Sequence, residues 1–350
     1  MKKLGLVAAL AAMTFFAALT VQAQGPGGGG QRGPGGPGGA GRGGGAPGGF
    51  GGGGQRGPGG PGGAGPGGGP AGGARGGPGG RGGGGAAQAI KEVKPGLYMV
   101  TGAGGNSTVR VTNDGIVVVD TKNMGEANYT ALLAQIKTVS DKPVQYAVVT
   151  HVHADHSGNI ASFVTAGVKV VTHENLLKNL ETYTSGGNKP GTPNVTYAKD
   201  YSIKLGSAEV AHVYHWAAGH TSADSVVYFP GVKVISFGDE LSTNLNCDYI
   251  QGGSILGWAQ SLEAALKLDW DTAIAGHGDN PMTRADVETV QKRMAGISKT
   301  AIDLVKKGTA KDQLVAQISA ADPSYNVGQL LQNNQARIDA FYEDVTKAAK

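Results

Sequence analysis

His151-Val152-His153-Ala154-Asp155-His156 is the stretch that decides how this chain is read. It packs four metal-ligand side chains into one turn, directly after the apolar run Val144-Gln145-Tyr146-Ala147-Val148-Val149-Thr150. Zinc accepts neutral imidazole nitrogens and carboxylate oxygens, and a hydrolytic site needs several such ligands close together with a position left for water. Side chains alternate along extended chain, so His151 and His153 leave the strand on the same side and can share one ion. Asp155 and His156 lie where the chain must turn and can face a second ion beside the first. The plain alternative is a histidine-containing loop that holds no metal.

Toward the N-terminus, the apolar patterning predicts strands over 97–101, 107–112 and 116–120. Asn113-Asp114-Gly115 supplies a hairpin turn between the last two, which implies an antiparallel opening. Residues 126–139 carry helical apolar spacing at Tyr129, Leu132, Leu133 and Ile136. Beyond the cluster the pattern predicts a helix over 159–166, a strand over 168–172 and a helix over 174–181. Strands follow over 202–205, 208–214, 226–229 and 232–237, then a helix over 258–266 and a strand over 272–275. Helix and strand alternate, so helices lie against sheet. Ligand candidates recur at strand ends as Gly219-His220-Thr221, Gly238-Asp239 and Gly276-His277-Gly278. Glycine there lets the backbone turn sharply and the side chain reach inward. Residues from 285 onward read as mostly helical, with no chemistry of their own.

Composition divides the chain. Residues 1–23 carry Lys2, Lys3, an apolar stretch from Leu4 to Leu19 and small residues before Gln24. That is the layout of a signal peptide cleaved after Ala23, which sends the protein to a periplasm or beyond and leaves no stable membrane span. Residues 24–89 form a tether dominated by Gly, Pro, Ala, Gln and Arg, in which the segment Gln31–Ala40 recurs at Gln55–Ala64. With Phe50 as its one aromatic, it has too little to bury to offset the entropy of ordering, so it reads as disordered. Its arginines could touch an envelope or matrix polyanion. Seven of the chain's 30 lysines and arginines precede residue 90, with no acid among them; the other 23 face all 26 acids, so residues 90–350 are mildly acidic. Such a domain has no basic field to recruit nucleic acid, and a small-molecule substrate is expected. Cys247 is the sole cysteine, which excludes an internal disulfide. A folded domain over 90–297 and a helical extension over 298–350 complete the division.

With the first cluster and the three later motifs in this order at strand ends, residues 95–295 resemble the metallo-β-lactamase-fold hydrolase superfamily. The resemblance implies an α+β fold, an αββα sandwich of two mixed β-sheets flanked by helices, with a metal site at one edge. It further implies that His151, His153 and His220 hold one zinc, that Asp155, His156 and His277 hold the other, and that Asp239 bridges them. Two ions about 3.5–4 Å apart can share a water and present hydroxide to a carbonyl or phosphorus centre. Asp155 is then placed to accept the proton. Asp120, at the end of its strand, matches an acidic position of the family that supports a ligand rather than coordinating. Zinc is the expected metal; iron and manganese accept the same residue types.

Asp239 narrows the subclass, since zinc β-lactamases of the family usually carry cysteine or serine there. The aspartate resembles that of thioesterases, lactonases and phosphodiesterases. The expected activity is therefore cleavage of an ester, thioester, lactone or cyclic amide, β-lactams among them. Two alternatives stand beside it: a phosphodiesterase of the same fold, and an envelope or matrix-binding protein that acts through its Gly-rich arm. Of the remaining candidates, His173 reads as a helix-start residue, His212 as a sheet residue and His215 as a weaker candidate for the pocket. Cys247 is not expected to coordinate. Trp216, Tyr249 and Trp258 read as packing, with Tyr249 the one to test as a substrate platform. The loops 184–194 and 244–254 are the candidate pocket walls.

Overall fold

A computed structural model describes residues 86–350. The readings of 1–23 as a signal peptide and of 24–85 as a tether lie outside the described residues. Residues 86–89 belong to the fold: the Ala86 carbonyl accepts from the Ala103 N–H at 3.0 Å, and Ala89 opens a strand.

Two sheets form the centre. The first holds seven strands in chain order, β1 (Ala89–Lys94), β2 (Leu97–Thr101), β3 (Ser107–Val111), β4 (Ile116–Val119), β5 (Val144–Val148), β6 (Lys169–His173) and β7 (Val195–Tyr197). β1 to β4 run antiparallel and β4 to β7 parallel. The change of direction is set by connection length. A turn at 112–115 joins β3 to β4, whereas α1 (Glu126–Lys137) makes the crossover to β5. Between β5 and β6 lie α2 (Ala154–Ser157) and α3 (Ile160–Thr165), and α4 (Asn175–Thr182) follows β6.

The second sheet holds β8 (Asp200–Leu205), β9 (Ala208–Tyr214), β10 (Val226–Phe229), β11 (Val234–Ser236), β12 (Thr272–Ile274) and β13 (Met282–Thr283). Only β11 and β12 pair in parallel, bridged by α5 (Ile255–Ala265). The C-terminal helices are α6 (Arg284–Lys306), α7 (Lys311–Ala321), α8 (Val327–Leu330) and α9 (Gln335–Ala348).

The period-two pattern of the strands distributes their side chains between three cores. Val117, Val119 and Val148 face Val213, Val227 and Phe229 between the sheets. Their sequence neighbours Ile116, Val118 and Ala147 point the other way, onto Leu132 of α1, Phe163 of α3 and Leu176 of α4. On the far side Val226, Tyr228 and Ile235 meet Trp258 of α5 and Ile297 of α6. The result is the expected αββα sandwich. The expected division at 297/298 falls inside α6, and Leu314, Phe341 and Val345 share one apolar cluster with Trp258. Among the described residues no helix is long and apolar enough to cross a membrane.

Candidate metal centre

Every expected ligand lies at one edge of the sandwich, where the loops after β5, β9, β11 and β12 meet. His151, His153, His220 and Asp239 form one group, and Asp155, His156 and His277 form a second. Within each group the ligand atoms lie within 4.8 Å of one another. Asp239 stands between them: its Oδ2 is 3.7 Å from His220 Nε2, while its Oδ1 is 3.3 Å from His156 Nε2 and 3.5 Å from His277 Nε2.

Local sequence explains the convergence. Extended chain past β5 carries His151 and His153 out side by side, and α2 then winds Asp155 and His156 into its single turn. The backbones of Gly105 and Gly276 press on the site. A Cβ on Gly105 would overlap the His156 ring, and one on Gly276 would overlap Asp239 Oδ1. Asn106 ties the two halves together, donating from Nδ2 to the carbonyls of Ala275 (3.0 Å) and Gly278 (2.8 Å) on either side of His277.

Hydrogen bonds on the outer nitrogens decide what the inner ones offer. His220 Nδ1 faces the Asn246 carbonyl at 2.6 Å; a carbonyl only accepts, so Nδ1 carries the proton and Nε2 is bare. His153 Nε2 donates to Asp248 Oδ2 at 2.9 Å, leaving Nδ1 bare. The Thr150 hydroxyl donates to Asp120 Oδ2 at 2.9 Å and so accepts from His151 Nδ1 at 3.0 Å, leaving Nε2 bare. His156 Nδ1 donates to the same Asp120 oxygen at 2.8 Å.

These inner atoms fit a cation. The bare nitrogens of His153 and His220 face each other at 2.9 Å, where their lone pairs repel unless a positive ion or a proton lies between them. His151 Nε2 and Asp239 Oδ1 are buried without a hydrogen bond. Burial, with His153 beside it, pushes His220 down to about 4, and burial holds His151 well below the ordinary range, so these two rings favour the neutral form with a nitrogen free to bind a cation. Burial also works against a charged His156, but Asp239, Asp155 and Asp120 outweigh it and hold its pKa well above the ordinary range. The acids thus draw either a proton or a metal ion to its Nε2. Asp155 and Asp239 stay below the usual carboxylate range, because His156 and its neighbours overcome the cost of burying them. Asp155 and His277 have side chains 33% and 35% exposed while His156 is fully buried, so the site opens to solvent on their side.

The other candidates resolve cleanly. His173 Nδ1 accepts from the Asn175 N–H at 3.3 Å at the start of α4, and its ring stacks at 3.7 Å on His215, whose Nδ1 donates to the Asp224 carbonyl at 2.8 Å. His212 lies in β9. The Cys247 thiol is fully buried and donates to the Gly219 carbonyl. Trp258 packs in the core and donates to the Glu240 carbonyl; Trp216 stacks on Tyr214. Tyr249 bonds Asp344 and meets Phe341 of α9 instead of presenting a platform. The loop 184–194 packs over α3, where a Cβ on Gly191 would meet Ala161. The segment 244–254 does wall the site, through the Asn246 carbonyl and Asp248. Sequence reasoning missed the roles of Asn106, Thr150, Asn246 and Asp248. Their polar types recur all along the chain, and only the fold brings them to the histidines.

Known proteins are similar to this chain over a comparable share of its length. The family model of the metallo-beta-lactamase superfamily matches residues 100–277. A metallo-beta-lactamase type 2 of Elizabethkingia meningoseptica is 27% identical over 54% of this chain and 78% of its own length. The 2,4-dinitroanisole O-demethylase subunit alpha of Nocardioides sp. (strain JS1661) is 24% identical over 49% of this chain, which spans about half (51%) of that relative. Among solved structures, a metallo-beta-lactamase from Pontibacter korlensis superimposes with TM-score 0.52 at 23% identity, covering 59% of this chain and 99% of its own. The sec-alkylsulfatase Pisa1 from Pseudomonas sp. superimposes with TM-score 0.57 at 20% identity, covering 73% of this chain and 50% of its own. These structural likenesses concern the fold. Because the family model spans half of the sequence and takes in the whole ligand cluster, the chain belongs to the metallo-beta-lactamase superfamily, a membership that supports a metal-dependent hydrolase.

Proposed function

We propose that this protein is an exported hydrolase holding two zinc ions, which cleaves an ester, thioester, lactone or cyclic amide in a small-molecule substrate. The observation that carries the reading is the pair of bare imidazole nitrogens of His153 and His220 at 2.9 Å, with the Asp239 carboxylate reaching from that group to His156 and His277. Imidazole and carboxylate donors suit zinc, and iron or manganese would accept them too. When bound, such ions would lower the pKa of water and polarise the oxygen of the scissile group.

The residues of the chain do the rest. His151 and His220 form the closed, buried side of the site with His153 partly buried beside them, and Asp239 spans both groups. Asp155 faces solvent as an ionised carboxylate and can accept a proton from the attacking water. His277 Nε2, 3.1 Å from Asp155 Oδ2, faces the same position and would hold the metal beside it. The mildly acidic domain favours a small substrate over a nucleic acid. Similarity to proteins named metallo-beta-lactamases keeps cyclic amides in the set, while an aspartate at 239 favours esters, thioesters and lactones.

Metal analysis of the purified protein, with turnover of nitrocefin, an acyl-homoserine lactone, S-lactoylglutathione and bis-p-nitrophenyl phosphate, tests the proposal. About two ions per chain and turnover of one of the first three are expected. Turnover of the phosphodiester alone would replace it with the phosphodiesterase reading. Bound metal without any turnover would favour a matrix-binding role for the Gly-rich arm. Export to the periplasm or medium predicts a mature chain that begins at Gln24, which intact-mass measurement on fractionated cells reads directly.

A further inference from the structure

We propose that Arg337, on the C-terminal helix α9 and outside the family-matched span, is a positioning residue for the metal centre, acting through Asp248 on His153. The inference rests on the reading of His153 as a metal ligand.

The segment 244–254 has two faces. Inward, it delivers the Asn246 carbonyl to His220 Nδ1 and Asp248 Oδ2 to His153 Nε2. Outward, the C-terminal helices grip it. Asp344 accepts from the Tyr249 hydroxyl at 3.2 Å and from the Ser254 hydroxyl at 2.6 Å, and the Cys247 N–H donates to the Leu330 carbonyl at 2.8 Å. Arg337 joins the two faces: its Nη2 lies 3.1 Å from Asp248 Oδ1, the oxygen that does not serve His153.

The Asp248 carboxylate is therefore held from both ends. Oδ1 takes Arg337 and the Ile250 N–H at 3.1 Å, which aims Oδ2 at the ring. That bond fixes the proton of His153 on Nε2, so Nδ1 is the nitrogen turned inward toward His220. Outer partners of ligand histidines commonly set ring orientation and tautomer in this way. Stability alone is a poor reason for the arrangement. Arg337 Nε and Nη1 are buried without hydrogen bonds, and desolvating a guanidinium for one ion pair gains little over an apolar side chain of similar volume.

The test uses the full chain with Arg337→Met, Arg337→Lys, Asp248→Asn and the double variant Arg337→Met/Asp248→Asn. Zinc is titrated against a chelator series, and the ring tautomer of His153 is read by nitrogen NMR in zinc-free protein. Expected for R337M are a 10–100-fold weaker affinity for one ion of the pair, a mixed His153 tautomer and an unchanged circular dichroism spectrum. R337K should restore most of the affinity, and the double variant should lose no more than either single one. Wild-type affinity and a single Nε2–H tautomer in R337M would overturn the proposal, as would additive losses in the double variant. If R337M fails to fold, Arg337→Gln, which removes the charge, and D248N decide. Wild-type zinc affinity and tautomer in either variant overturns it, and a 10–100-fold loss in both with R337K near wild type sustains it. Wild-type protein that binds no zinc would instead sink the metallohydrolase reading itself.

Discussion

Asp120 Oδ2 accepts from His156 Nδ1 at 2.8 Å and, at 2.9 Å, from the Thr150 hydroxyl that in turn supports His151. One carboxylate oxygen thus orients a histidine from each ligand group, while Oδ1 takes the Thr150 N–H at 2.8 Å. Replacing Asp120 with Asn puts an amide where three donors converge, and at least one must lose its acceptor. Zinc affinity is expected to fall about 10–100-fold. Both ions should weaken together in a chelator competition, and loss confined to one ion would show that the shared oxygen is not what links the groups.

Gly105→Ala should separate packing from chemistry. The added methyl meets the His156 ring, and Gly105 has no left-handed backbone to strain, so the ring must move. We expect activity to drop at least about tenfold, in line with the sensitivity of reacting geometry to shifts near 1 Å. Thermal stability should change by only about 1–3 kcal/mol, the usual range for overpacking. Steady-state kinetics beside a melting curve decides, and wild-type turnover would contradict the geometry.

Lys122 is fully buried, and its Nζ donates to the carbonyls of Val100 (2.6 Å) and Gly105 (2.8 Å), two bonds that a neutral amine can supply. Burial pushes it down to about 7, against the opposing charge of Asp120. Between pH 7 and about 10.5 the unfolded chain therefore holds a proton that the folded chain has released, so stability rises with pH in that window. From pH 7 to 9 the gain attributable to this lysine is about 2 kcal/mol, at 1.36 kcal/mol per unit. Urea unfolding at the two pH values should show it in wild type but not in Lys122→Met, which subtracts every other titrating group.

Phe341 is fully buried and shares a cluster with Trp258 and Ile297. Phe341→Ala should cost about 3–5 kcal/mol, as large-to-small changes in a packed core do. The loss should appear in one cooperative transition that includes the sandwich. A separate early transition for the C-terminal helices would mean that they fold as an independent unit.

Much of this was legible in the sequence. Strands with alternating valines, the Asn113-Asp114-Gly115 turn and glycines beside each ligand announce themselves locally, and all seven expected ligands converge. Three strands were not legible. β1 reads AIKEVK, too polar and too close to the Gly-rich run to stand out, while β7 and β13 are three and two residues long. The part played by α9 was hidden for another reason. Arg337 looks like any cation on an amphipathic helix, and its contact with Asp248 spans most of a hundred residues of sequence. Polar partners at such separations leave no local mark, whereas apolar periodicity does.

The ligand set straddles the sandwich. His151, His153, Asp155 and His156 follow a strand of the first sheet, while His220, Asp239 and His277 follow strands of the second. Ions seated among them would act as rivets between the two layers, since an unfolded chain offers no such pocket and loses that affinity. On the proposed reading, the working lifetime of the protein would be set partly by its surroundings: in metal-poor conditions the layers would be free to part at their open edge, exposing the protein to heat and proteases before any substrate is met.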